Sequence, residues 1–339
     1  MGPRHHDADL IVVGGGPAGA AAAIVAAGRG LATILCEHEP DRSLPGESLQ
    51  PGIEPLMAQL GLPDGLSQVS GARNPGVWIT IGETTRFEAF GGDEAEAWSG
   101  WQIRRPDFDA LLRARAGALG VDLRMPCRVL EPLRDGARVT GVMTADGPLF
   151  APMVIDASGS ARWLSRRLGL PVARHSPILR ARYGYRTGFC PLRDGAPALV
   201  ADEGGWTWSA RVRPGVYQWT RLRVDRDAPQ SAEPPSELAT LTPLGRSRGA
   251  DVTWILANRS AGPGWLITGD AAARLDPASG QGILRAVMGG MMAGHAAHRH
   301  LREDVEIVEA YTRWQNDRFF AGAMALTALY RSLGFSGFG

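Results

Sequence analysis

The sequence predicts an α/β protein in which a parallel, nucleotide-binding sheet is interleaved with an antiparallel sheet. Three observations predict it. Near the N-terminus an apolar strand runs into a glycine-rich turn and an Ala-rich helix, within residues 9–30. A second glycine-rich turn follows an apolar run far downstream, at 266–283. Between them, residues 76–90 and 180–224 carry alternating, aromatic-rich runs such as VWITI, WTWSARV and VYQWTRLRV. That is the pattern of half-buried antiparallel strands.

The elements follow in chain order. Asp9 to Val13 is an apolar run ending in glycine, which suits a central strand buried on both faces. Gly14, Gly16 and Gly19 form a G-x-G-x-x-G pattern with Pro17 and Ala18 inside it. The first glycine permits the tight turn, the second lets a pyrophosphate approach the backbone, and the third lets helix and strand pack closely. The helix N-terminus offers free N–H groups and the positive end of a dipole to phosphates. Leu31 to Cys36 is a second strand, and Glu37 stands 23 positions after Gly14. A carboxylate there accepts hydrogen bonds from ribose hydroxyls and repels a 2′-phosphate, which disfavours NADP at this site.

Bulk properties exclude several classes. A chain of 339 residues suffices for one large or two interleaved domains. A net charge of +1 leaves no footprint for nucleic acid. All 36 Lys and Arg residues are Arg, so no mechanism that needs a lysine amine is available. Cys36, Cys127 and Cys190 are far apart and lack metal-ligand spacing, which suits reduced thiols and no metal. His295, His298 and His300 read as a helix C-terminal feature. No run is apolar enough for a membrane span and the N-terminus lacks a signal-peptide core, so the expected location is the cytoplasm.

Four further stretches decide between NAD and FAD. They are Pro45 to Gly52 (PGESLQPG), Arg105-Pro106-Asp107-Phe108-Asp109 with Leu112, Val154 to Gly159 (VIDASG), and Leu266 to Ala272 (LITGDAA) with Asp276 to Ile283 (DPASGQGI). The chain resembles, over nearly its whole length, the FAD-dependent family of para-hydroxybenzoate hydroxylase, the flavin halogenases and the geranylgeranyl reductases. The resemblance implies a Rossmann-type FAD-binding domain interleaved with an antiparallel β-sheet substrate domain. It places Glu47 and Ser48 near the flavin ring, Arg105 on FAD, and Asp270 on the ribityl chain. It directs the turn and helix at Pro277, Gly280, Gly282 and Ile283 towards the flavin pyrimidine edge.

The implied domains are discontinuous. Residues 1–75, 100–175 and 251–302 form the FAD-binding domain, 76–99 and 176–250 the substrate sheet, and 303–339 a C-terminal helical segment. Trp206 and Trp208 alternate along one strand and so share a face, lining a pocket or packing in the core. They match the tryptophans of the halogenase W-x-W-x-I-P motif, but Ala210 and Arg211 stand where Ile-Pro would be. Glu47, Arg105, Trp206, Trp208 and Gln218 are the pocket candidates.

Three enzyme classes fit the resemblance. A monooxygenase would use reduced flavin and molecular oxygen to form a flavin hydroperoxide and hydroxylate an electron-rich aromatic. NAD(P)H would reduce the flavin directly or through a separate flavin reductase. A geranylgeranyl-reductase-like enzyme needs a long apolar pocket, whereas this sheet is rich in Arg, Tyr and Trp. A halogenase needs a lysine that the chain lacks. GESLQPG, WTWSARV and YQWTRL resemble most closely the flavoproteins that hydroxylate tryptophan in a partner protein during cysteine tryptophylquinone biogenesis. The implied substrate is then a tryptophan-containing protein or peptide, the alternative being a small aromatic molecule.

Overall fold

The computed structural model describes residues 6–42, 47–92, 97–224, 233–335 and 337–338. A six-stranded sheet runs in the order Ala261–Gly262, Trp265–Ile267, Met153–Asp156, Leu10–Val13, Thr33–Cys36 and Asp122–Arg124. Every pairing is parallel except the hairpin between the first two strands. Leu10, Ile11 and Val12 are wholly buried, so both faces are covered. Alternation sorts them. Leu10, Val12, Leu35 and Ile155 meet helices Pro17–Ala27, Arg105–Ala118 and Gly282–His300. Ile11, Val13, Ile34 and Val154 meet a three-stranded sheet of Val129–Asp135, Arg138–Thr144 and Gly147–Phe150. The sequence reading had not resolved that small sheet, because its strands are short and mixed in polarity.

Helices Pro17–Ala27 and Gly282–His300 cross in close contact. A Cβ at Gly290 would collide with the carbonyl oxygen of Ala18, and one at Gly294 would lie 2.5 Å from that of Ala22. Small residues at both positions allow the backbones to touch, which fixes the second glycine-rich turn against the first.

An eight-stranded sheet holds Thr242–Pro243, Arg180–Thr187, Val216–Arg223, Gly205–Arg213, Ala198–Asp202, Gly76–Ile81 and Thr84–Ala89 in that order, with Arg248–Asp251 also on Arg180–Thr187. The expectation of antiparallel strands needs one correction: Ala198–Asp202 pairs parallel to Gly76–Ile81. The chain leaves this sheet after residue 89, adds two strands to the six-stranded sheet and builds the small three-stranded one, and returns at 180. So long an excursion permits parallel pairing, which a short hairpin cannot make.

The register puts Trp206 beside Leu222, Trp208 beside Thr220, and Ala210 beside Gln218. Tyr183 and Tyr185 extend the last two rows. This face is closed by the C-terminal helix Ile307–Ser332 through Phe319, Leu326 and Tyr330, and by Leu275 and Ala278. Among the described residues no helix is long and apolar enough to cross a membrane.

Candidate active site

The carboxyl ends of four parallel strands converge on one edge. Gly14 N–H donates to the carbonyl of Cys36 (2.8 Å), Ala157 N–H to Val13 (2.8 Å), and Thr268 N–H to Asp156 (2.9 Å). Ligands of open α/β sheets bind at such an edge. The glycine-rich turn is shaped by its surroundings. A Cβ on Gly14 would lie 2.5 Å from the carbonyl oxygen of Ala157, and one on Gly19 would strike the Gly14 carbonyl, whereas Gly16 faces open space. Pro17 opens the helix, and neither a capping side chain nor an acidic residue occupies its first turn. Its first N–H groups therefore keep their capacity for an anion.

Glu37 lies against this turn. Its Oε2 accepts from Gly15 N–H (2.6 Å) and its Oε1 from Glu39 N–H (2.8 Å). Arg113, which the sequence reading missed, is buried beneath the same turn and donates to the carbonyls of Gly15 (3.3 Å) and Pro40 (3.1 Å). Its only signal was an arginine five residues after Phe108 on a helix face that also holds Phe108, Asp109, Leu112 and Ala116. The DASG segment has a structural duty, since buried Asp156 accepts from Ser158 N–H (2.9 Å) and Leu164 N–H (2.8 Å).

Further along the edge, Arg105 holds Asp109 with both ends of its guanidinium (3.1 and 3.2 Å) and stands 3.5 Å from Glu47. Burial pushes the Glu47 carboxyl up to about 7, against the pull of Arg105 and with a further push from Asp270 and Asp109. Desolvation by the protein around it also raises the Asp270 carboxyl, opposed by Arg274, Arg105 and Arg285. Glu47, Arg105 and Asp270 thus form one electrostatic cluster, although they come from three distant segments. Ser48 donates to Gln102 Oε1 (2.8 Å), and Gln102 Nε2 to Asn74 Oδ1 (2.9 Å). Pro45 and Gly46 of the same motif lie outside the described residues.

The second turn is equally constrained. Pro277 opens a single 3₁₀ turn, Gly280 takes φ +61°, and Gly282 begins the long helix, with Ile283 buried behind it. Asp276 Oδ1 caps the turn at Ala278 N–H (2.8 Å), while its Oδ2 accepts from Trp254 Nε1 (2.6 Å). Burial raises the Asp276 carboxyl to about 6 despite these donors.

The substrate-sheet candidates fall nearby. Trp206 is buried, its Nε1 donating to Tyr330 Oη (3.0 Å), and Trp208 packs at the margin of the same cluster. Gln218 is buried and donates to Thr220 Oγ1 (3.0 Å), and its Oε1 has no partner among the described residues. That cluster includes Ala278 of the second turn, and Tyr330 and Trp254 link the two, since Trp206 bonds Tyr330, Tyr330 packs on Trp254 and Trp254 bonds Asp276. Among the described residues no group of three or more His, Cys, Asp and Glu side chains could hold a metal. Cys36, Cys127 and Cys190 are buried free thiols.

Residues 9–172 match the model of the FAD dependent oxidoreductase family. The chain is 26% identical over 357 residues to a flavin-dependent halogenase of Armillaria mellea, covering 89% of this chain and 67% of that protein. It is 27% identical over 335 residues to a digeranylgeranylglycerophospholipid reductase of Methanopyrus kandleri, covering 91% and 85%. Its fold is that of a peptidyl tryptophan dihydroxylase essential for tryptophylquinone cofactor biogenesis, with a TM-score of 0.74 and 22% identity over 95% of this chain and 75% of that one.

Proposed function

We propose that the chain, an FAD-dependent oxidoreductase, is a monooxygenase that hydroxylates an electron-rich aromatic ring, a tryptophan side chain in a partner protein or peptide being the leading substrate. Bound FAD, once reduced by NAD(P)H or a separate reductase, supplies the oxygen-transferring chemistry with molecular oxygen. The chain's own residues bind, orient and exclude water. The open space at Gly16 and the uncapped helix at Pro17, Ala18 and Gly19 receive the pyrophosphate, and Glu37 takes the ribose hydroxyls. Asp270 takes the ribityl chain. Ser48, Arg105 and the turn from Pro277 to Gly282 with Ile283 surround the ring. Glu47, poised near neutrality beside Arg105, holds or yields a proton at its Oε1 near the ring. Trp208, Tyr183, Tyr185 and Gln218 form the wall against which the substrate ring lies, and Trp206 supports that wall from the core.

One observation carries this reading. The sheet face bearing Trp206 and Trp208 shares one apolar cluster with Ala278 of the second glycine-rich turn, linked through Tyr330 and Trp254, which supports a pocket of aromatic and hydrogen-bonding side chains on the flavin side of the sheet. The absence of any lysine argues against halogenation, despite the halogenase relative. The likeness to the dihydroxylase fold supports the peptide substrate.

The decisive experiment reduces the flavin anaerobically and mixes the protein with oxygenated buffer and either indole or a tryptophan-containing peptide. A product heavier by one or more oxygen atoms establishes the monooxygenase, and the preferred acceptor identifies the substrate class. Flavin reoxidation with no oxygenated product from either acceptor overturns it and favours a double-bond reductase, as the archaeal relative suggests.

A further inference from the structure

The strand Glu47–Leu49 is the outer member of a three-stranded sheet, with Gly100–Ile103 at the centre and Ser70–Asn74 beyond it. Its register sets Ser48 directly opposite Gln102. Ser48 stands between Glu47, which meets Arg105, and Gln50, whose Nε2 donates to the carbonyl of Ser279 in the second glycine-rich turn (3.3 Å). Ser48 is half-buried, so its oxygen remains open to that edge, whereas Gln102 and Asn74 are each only 2% exposed.

Behind Ser48 runs a chain of hydrogen bonds whose direction is fixed. The carbonyl of Gly76 can only accept, so Asn74 turns its Nδ2 towards it (2.9 Å). Asn74 then presents Oδ1 to Gln102, which answers with Nε2 (2.9 Å). That leaves Gln102 Oε1 facing Ser48, and an amide oxygen can only accept, so the single hydroxyl proton of Ser48 is committed to it (2.8 Å). Turning the hydroxyl round would set two oxygens against each other with no proton between them and leave a buried amide oxygen without that donor. The free side of Ser48 Oγ therefore offers lone pairs alone.

An acceptor fixed in this way discriminates between the two forms of a flavin ring. N5 of the oxidised ring is an acceptor, and two-electron reduction places a hydrogen there and makes it a donor. A serine free to rotate would serve either form. One whose proton is held elsewhere serves only the donor.

We propose that Gln102 and Asn74 are positioning residues that hold Ser48 as a hydrogen-bond acceptor for N5–H of reduced FAD, so that the protein favours reduced over oxidised flavin. The proposal rests on the reading that the flavin ring lies against this edge, and it needs neither oxygen chemistry nor a particular substrate.

The test is anaerobic redox titration of the FAD-loaded protein against a reference dye. Ser48→Ala should lower the midpoint potential by about 30 mV, which is about a tenfold loss of preference for reduced flavin. Gln102→Leu leaves Ser48 in place but releases its proton, and should lower the potential by at least as much, because the hydroxyl can then donate to oxidised N5. Asn74→Leu frees the Gln102 amide to turn over and should lower it too, which keeps the test open if Gln102→Leu loses its flavin. The double variant Ser48→Ala with Gln102→Leu should match Ser48→Ala alone, since Gln102 acts only through Ser48. General damage to the fold weakens both redox forms alike and leaves the potential in place. An unchanged or raised potential in Ser48→Ala, a wild-type potential in the flavin-loaded Gln102 or Asn74 variant, or additive shifts in the double variant would overturn the proposal. Oxygen and aromatic acceptor are both absent from the titration, so failure of the hydroxylase reading leaves this result intact.

Discussion

Glu47→Gln should make the flavin-stripped protein more stable at alkaline pH and change it little at acid pH. The carboxyl moves from 4.5 in the free chain to about 7 in the folded protein, chiefly through burial. Between those values the folded state binds a proton that the unfolded state has released. Stability therefore falls as pH rises through that window. The penalty is absent below about pH 4.5 and complete above about pH 7. Taken whole, the shift is worth about 3 kcal/mol. The side chain is 31% exposed, so solvent screening reduces this to about 1–2 kcal/mol. Glutamine keeps the shape and removes the charge, and Arg105 retains Asp109. The assay is urea denaturation of wild type and variant from pH 4.5 to 8.5. Asp270 and Asp276 are also raised by desolvation, so the difference between the two proteins, not the wild-type curve, isolates Glu47. The variant should gain midpoint denaturant concentration progressively between pH 4.5 and 7 and hold the gain above it. A difference that stays flat with pH, or a variant less stable than wild type at pH 8, would show that the Glu47 carboxylate is not penalised where it sits.

Other outcomes follow from the same geometry. Gly290→Ala drives a Cβ into the Ala18 carbonyl and forces two packed helices apart; overpacking of this kind costs about 1–3 kcal/mol, and should appear in thermal melts as a lower midpoint together with weaker FAD retention. Glu37→Ala removes a charged acceptor from the glycine-rich turn, and fluorescence titration should show FAD affinity falling about tenfold or more, in line with the roughly 1.5–3 kcal/mol of a hydrogen bond to a charged group. Trp254→Phe strips a donor from buried Asp276; the loss should be about 1–3 kcal/mol at pH 8 and smaller at pH 5, because the raised carboxyl is then protonated, and a loss independent of pH would contradict it.

Much of the site was legible because its chemistry is local. Gly14, Gly16 and Gly19 stand on one turn, and their spacing encodes the turn, the approach and the packing whatever the rest of the chain does. The strand Leu10–Val13 announces burial on both faces by unbroken apolarity, and Pro277 with Gly280 announces the second turn. The contacts between segments were not legible. Nothing in GESLQ says that Glu47 will stand beside Arg105 and Asp270, since 58 and 223 residues separate them in the sequence. Arg113 reads as an ordinary helix arginine until the helix docks under the glycine-rich turn.

By itself, then, the sequence determined the nucleotide-binding unit, the second glycine-rich turn, the aromatic sheet and the absence of lysine chemistry. These depend on backbone conformation, periodicity and composition, which short stretches carry. Only the tertiary structure decided that Trp206 meets Tyr330, that Ala198–Asp202 lies parallel to Gly76–Ile81, that burial pushes the Glu47 carboxyl up to about 7, and that Arg285 donates to the carbonyl of Arg318. Each of these depends on burial and on neighbours brought together from distant segments, and low dielectric and close contact arise only once the chain has folded.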